Sequence, residues 1–164
     1  LLILGLDPGS LHTGFGFIEK RGSELTAREW GRISTSRKMK VPQRLAHLGG
    51  LLDQVLDRER PDVVVLETPF HGMNSRSLIV LAQARGVLLA RAAERELEIV
   101  EYSPAEVKSS VTGNGRADKQ QVARMVRMML NLEDDLSEDT SDALAVAICC
   151  AQRYRLDRLT ESLC

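Results

Sequence analysis

The chain has 164 residues, 43% of them hydrophobic and 27% charged, with 22 Lys+Arg against 23 Asp+Glu. That length suits one domain and that mixture suits a folded globular protein, which excludes a disordered chain. The formal net charge of −1 argues against an overall polyanion binder, because phosphate affinity needs an excess of Lys and Arg.

From the N-terminus, Leu1 to Leu6 is an apolar run closed by the turn cluster Asp7-Pro8-Gly9-Ser10, and it reads as a buried strand. Thr13 to Ile18, with Phe15 and Phe17 alternating with glycines, is a second strand; a stretch through Leu25 and Trp30 to Ile33 is a third. Short polar turns between them predict an antiparallel start. Pro42 suits a first helical turn, and Leu45, Leu48, Leu52, Val55 and Leu56 follow at helical spacing up to Pro61. Val63 to Leu66 is a β-branched fourth strand ending at Glu67, Ser75 to Glu96 a long helix, and Ile99, Val100 and Tyr102 mark a fifth strand. Asp118 and Gln121 have capping-box spacing ahead of the stripe Val122, Met125, Val126, Met129 and Leu130. A last helix starts near Thr140 or Ser141. The predicted order is β-β-β-α-β-α-β-α-α, an α/β domain with a mixed five-stranded sheet flanked by helices. This domain is expected to occupy residues 1–152, with 153–164 as a C-terminal tail of unassigned role.

The longest apolar run, Ala143 to Ala151, is nine residues, too short to span a bilayer. The apolar start has no basic lead-in or cleavage pattern, so it does not read as a signal peptide. Cys149, Cys150 and Cys164 are odd in number with no C-x-x-C spacing. That argues against a disulfide framework or zinc site and fits a reducing, cytoplasmic setting.

Four carboxylates stand where core packing alone would not put them. Asp7 closes the first strand, Glu67 closes the fourth, and Asp139 and Asp142 lie three apart at the start of the last helix. Each has an ordinary alternative: Asp-Pro-Gly is common turn chemistry, and acids at a helix N-terminus are favoured by its dipole. Glu67, a charge at the end of a β-branched run, is hardest to dismiss. If the four converge, they repel one another unless cations neutralise them, and an all-oxygen set selects Mg²⁺ or Mn²⁺. Two such ions would suit phosphodiester hydrolysis.

Other residues could hold a nucleic acid. Phe70, three residues beyond Glu67, either stacks on an unpaired base or folds back onto the core. Lys108 and Lys119 flank Thr112-Gly113-Asn114-Gly115, which reads equally as a phosphate-approaching loop or as a hairpin turn beside two solvated lysines. Arg32, Arg37, Lys38, Lys40 and Arg44 form a run without acids, either a solvated face or a backbone-tracking patch. The apolar residues of the long helix spread wider than one sheet face requires, which means deep burial or a dimer interface.

The chain resembles the RuvC Holliday-junction resolvases. The likeness runs through Gly5-Leu6-Asp7-Pro8-Gly9-Ser10 with Thr13-Gly14-Phe15-Gly16, Glu67-Thr68-Pro69-Phe70 with Asn74-Ser75, and Gln83-Ala84-Arg85-Gly86-Val87. It continues at Val107-Lys108, at Gly113-Asn114-Gly115 leading to Lys119, and at Asp139-Thr140-Ser141-Asp142-Ala143-Leu144-Ala145. The resemblance implies an RNase H-like fold and a homodimeric, metal-dependent endonuclease. Such an enzyme resolves four-way DNA junctions by paired symmetric nicks in recombination and repair. It implies that Asp7, Glu67, Asp139 and Asp142 are catalytic and hold two Mg²⁺, with Mn²⁺ as a substitute. It implies that Phe70, Lys108 and Lys119 contact DNA, and that branch-migration proteins of the RuvA and RuvB kind are partners. Some members carry His at the position of Asp139; this chain has the all-carboxylate form.

Two other readings compete. An actin- or sugar-kinase-type phosphotransferase shares such a core but needs two domains to enclose a nucleotide, and this chain has room for one. A non-catalytic junction-binding module would not need all four acids. The near-zero net charge is also an average over segregated segments. Glu133 to Asp142 carries six acids and no bases, while Arg32 to Arg44 carries five bases and no acids. Two bound divalent cations would take the net charge from −1 to about +3, so DNA binding near the cut is expected to depend on metal.

Overall fold

In the computed structural model, which describes residues 1–68, 75–133 and 135–161, five strands form one sheet. They are β1 (Leu2–Asp7), β2 (His12–Arg21), β3 (Glu24–Ser34), β4 (Val63–Glu67) and β5 (Glu98–Tyr102), in spatial order β3-β2-β1-β4-β5. The first three pair antiparallel, as their short connections require. Gly22 has φ +60 in the tight turn between β2 and β3, a conformation that favours glycine. β4 lies parallel to both β1 and β5. Parallel neighbours need long crossovers, and α1 (Val41–Arg58) and α2 (Ser75–Glu94) supply them. The mixed five-stranded α/β architecture expected from the sequence is the one observed.

Strand alternation divides the core in two. Leu4, Leu6, Phe15, Phe17, Val64 and Leu66 point to one face and pack with Leu48 and Leu52 of α1 and Ala84 and Leu88 of α2. Ile3, Ile18, Val63, Val65 and Tyr102 point to the other. That second face is covered by α3 (Pro104–Thr112), α4 (Lys119–Leu130) and α5 (Glu138–Glu161). Every residue from Ala143 to Ala151 is buried, which is why α5 is apolar all round in this stretch rather than striped. It lies directly on the sheet because β1 and β2 present glycine beneath it. A methyl at Gly5 would overlap the main-chain oxygen of Ala143, and one at Gly14 would overlap that of Asp139.

The structure corrects the sequence reading between β5 and α4. Helix α3 was not expected: it is a nine-residue helix with only Val107 and Val111 buried, too short to show a stripe. Its start is nevertheless written in the sequence, since the Ser103 hydroxyl accepts from the Glu106 N–H and the Glu106 carboxylate accepts from the Ser103 N–H. Thr112 to Gly115 is therefore not a hairpin but the end of α3, closed by Gly113 at φ +74. His12 is the first residue of β2. The proposed limit at residue 152 falls inside α5, which continues through Glu161. Just beyond that limit, the Arg153 guanidinium lies 3.1 Å from Glu106 and 5.6 Å from the Tyr102 ring, and the Tyr154 hydroxyl donates to Glu98 at 2.7 Å.

Candidate active site

The chain runs from β1 outward to β2 and β3, then returns to place β4 on the other side of β1. The carboxyl ends of β1 and β4 thus flank a switch in direction, where open α/β sheets characteristically form their binding crevice. Leu6 pairs with Leu66, so Asp7 and Glu67 come next on adjacent parallel strands at the same level. Both share the parity of Ile3, Val63 and Val65, which puts them on the α5 face.

The turn after Asp7 is held by Thr13. This fully buried hydroxyl donates to the Gly9 carbonyl at 2.7 Å and accepts from the Gly9 N–H at 3.3 Å. Across the sheet, Asp7 pairs with Gly14 and Gly14 with Arg32, so the three sit side by side on neighbouring strands. Gly14 leaves the gap into which the backbone of Asp139 fits. The first turn of α5 is pinned at both ends: the Ser137 hydroxyl accepts from the Thr140 N–H at 3.3 Å, and the Thr140 hydroxyl donates to the Gly31 carbonyl of β3 at 3.1 Å.

These constraints bring Asp7, Glu67, Asp139 and Asp142 together on one cleft of about 930 Å³, with Lys108 and Lys119 also in its wall. Burial first, and then the charges of Asp142, Asp139 and Glu67, push the Asp7 carboxyl up to about 8. Burial and the charge of Asp142 push Glu67 up to about 7, with Lys108 and Lys119 opposing. Burial likewise raises Asp142, against the pull of Lys119. The Lys119 ammonium pairs with Glu138 and lies 3.6 Å from Asp142. These contacts raise its pKa, the hydrogen bond to Glu138 foremost. Arg32 stands 3.7 Å from Asp139.

Among the described residues, no three His, Cys, Asp or Glu side chains are arranged as a ready-made metal shell, and two of the four acids lean on these cations. The donor set still fits a hard divalent ion. It is all oxygen, partly buried and mutually repelling, and neutralisation by such an ion would relieve the cost that raises Asp7 and Glu67.

Five sites expected from sequence therefore line the cleft with Asp7: Glu67, Asp139, Asp142, Lys108 and Lys119. Phe70 and the neighbouring His71 lie outside the described residues. The basic run splits. Arg37, Lys38 and Lys40 are exposed, whereas Arg44 turns inward to the Ser10 hydroxyl at 3.4 Å and the Met39 carbonyl at 3.1 Å. Sequence reasoning missed Glu138 as the partner of Lys119, Arg32 as the neighbour of Asp139, and Arg85, which is buried behind Glu67. Arg85 alone left a signal, an arginine inside an otherwise small and apolar helical stretch.

Comparison with known proteins identifies the family and the fold. The family model for crossover junction endodeoxyribonuclease RuvC matches residues 3–150. The crossover junction endodeoxyribonuclease RuvC of Caldicellulosiruptor saccharolyticus is 44% identical over 149 residues, 90% of each chain. The Thermus thermophilus RuvC structure superposes with a TM-score of 0.86 at 29% identity, covering 96% of this chain and 97% of that one. The structure of T. thermophilus RuvC in complex with Holliday junction substrate gives 0.86 at 26% identity, covering 95% and 96%.

Proposed function

The chain belongs to the RuvC family of crossover junction endodeoxyribonucleases, and from that premise we propose that Asp7, Glu67, Asp139 and Asp142 are the residues with which it cuts. The protein is a metal-dependent nuclease of recombination and repair that binds and resolves Holliday junctions, and its fold is RNase H-like. The observation that carries the site assignment is the convergence of four carboxylates from β1, β4 and α5 on one cleft, with Asp7 and Glu67 raised to about 8 and about 7.

The four carboxylates would hold divalent cations, with Mg²⁺ as the first choice, two per site, and Mn²⁺ as a substitute. Bound there, the cations would activate the attacking water and stabilise the leaving oxygen. The protein's own groups do the rest. Asp7 and Glu67, on rigid strand ends, fix the spacing of the set; Asp139 and Asp142 complete it from a helix locked to β3 through Thr140. Lys119 brings a protonated amine to the cleft, where it supplies a fixed positive charge to a phosphate oxygen. Lys108, half-buried on α3 beside Glu67, supplies a second. Phe70 is assigned to base stacking at the junction on the strength of the motif it completes.

Paired symmetric nicks call for a homodimer. The outer face of α2, where Ile79 is 58% exposed beside exposed Ala82 and Gly86, supports that helix as the interface. Branch-migration proteins of the RuvA and RuvB kind are the proposed partners. A cytoplasmic location is proposed from the cysteines, two of which are buried thiols; among the described residues no helix is long and apolar enough to cross a membrane. We assign residues 1–152 to the nuclease domain, with the remaining turns of α5 as its C-terminal extension.

The direct test is Asp7→Asn with labelled four-way junction and linear duplex, each with and without Mg²⁺. Retained junction binding with abolished cutting is expected. Cutting at the parental rate would remove Asp7 from the mechanism, and equal cutting of both substrates by the parent would remove junction specificity.

A further inference from the structure

Arg85 is the one buried arginine among the described residues, 7% exposed, in the middle of α2. Burying a guanidinium is unfavourable unless its donors are used. They are used on the strand that carries Glu67 and on its neighbour β5. One terminal nitrogen donates to the Glu67 carbonyl at 2.6 Å, and the other pairs with the Glu101 carboxylate on β5. Glu67 is the last residue of β4, so the strand's own pairing constrains it less beyond this point. The register ends at Glu67↔Tyr102, with one further bond from the Thr68 N–H to the Tyr102 carbonyl at 2.8 Å. Arg85 also lines a small apolar cavity of about 130 Å³ that reaches Asp7 and Glu67. Shortening it would open that space directly behind the acids.

We propose that Arg85 is a positioning residue for Glu67: its planar fork fixes the main chain at the end of β4, and with it the direction in which the Glu67 carboxylate leaves the strand. Glu101 orients the fork. Lysine keeps the charge but, as a point donor on a flexible stem, does not span both acceptors in fixed geometry. A group that orients a metal-holding side chain from behind typically governs metal affinity or activity by about 10- to 100-fold. The inference rests on the reading of Glu67 as one of the metal-holding acids.

The test uses full-length protein and four variants: Arg85→Lys, Arg85→Met, Glu101→Gln and Glu67→Gln. Mn²⁺ binding without DNA is read by electron paramagnetic resonance, and thermal melting is followed on the same samples. Arg85→Lys is expected to melt as a folded protein while its Mn²⁺ affinity falls about tenfold, with Glu101→Gln between it and the parent. Cutting should then need correspondingly more metal, while junction binding without metal stays within twofold of the parent. Parental Mn²⁺ affinity in folded Arg85→Lys and Glu101→Gln, with Glu67→Gln weakened, overturns the positioning role alone. Parental affinity in Glu67→Gln overturns the reading of the site beneath it. If Arg85→Met does not fold, the two conservative variants decide the matter by the same criteria.

Discussion

Asp7→Asn should make the metal-free protein more stable at neutral pH, although it removes a residue assigned to catalysis. The Asp7 carboxyl is raised from 3.8 to about 8 by burial and by the charges of Asp142, Asp139 and Glu67. Because the folded pKa lies above the unfolded one, its stabilising contribution is complete below the unfolded value and is lost as pH rises through about 8. At pH 7, linkage sets the cost of keeping this aspartate in the fold at roughly 4 kcal/mol. Solvent screening at an open cleft reduces that to about 2 kcal/mol. The neutral amide carries no such penalty, so in EDTA the variant should melt roughly 4–8 °C above the parent at pH 7. The gap should widen toward pH 8 and close toward pH 4. Saturating Mg²⁺ should narrow or invert it, since only the parent retains the complete ligand set. Calorimetric or circular-dichroism melts at pH 4, 5, 7 and 8, with and without metal, read this directly. A variant no more stable than the parent at pH 8, or a gap independent of pH, would refute the account of the clustered charge.

Further outcomes follow from the same geometry. Gly14→Ala puts a methyl into the main-chain oxygen of Asp139; cutting should fall at least 100-fold, and a parental rate would show that α5 can shift without consequence. Lys119→Gln should slow cutting by about 10²-fold with junction binding reduced only severalfold; a binding loss as large as the rate loss would make Lys119 a simple phosphate anchor. Glu96 closes α2 at φ +56, so Glu96→Gly should raise stability by about 1 kcal/mol in urea melts without touching activity.

β1 and β4 were legible because they are short apolar runs bounded by turn residues, and because strand-end acids are conspicuous after Leu6 and Leu66. Helix α4 was legible from Asp118, Gln121 and a clean stripe. Helix α3 was not: Val107 and Val111 are too few to set a period, and its Ser103-Glu106 capping box passes for loop chemistry. For the site, the four acids could be named from position, but what holds them could not. That Thr13 clamps Gly9, that Gly14 admits the backbone of Asp139, that Arg32 reaches Asp139 and that Glu138 lines the cleft all depend on register and crossing distance. Such long-range facts have no local sequence period. Arg85 shows the same limit, since its contact with the Glu67 carbonyl joins residues eighteen apart.

The position of α5 in the chain bears on when this nuclease can exist at all during synthesis. The helix begins at Glu138, carries Asp139 and Asp142, and fills the centre of one half of the core. A nascent chain halted before it has two of the four candidate acids and lacks the helix that lies directly on β1, β2 and β4. Translation delivers the N-terminal strands first, so the sheet waits for its last segment, and the fold and the cutting site are completed together. A truncated product of this DNA-cutting protein thus lacks both the central helix of one core half and a complete site.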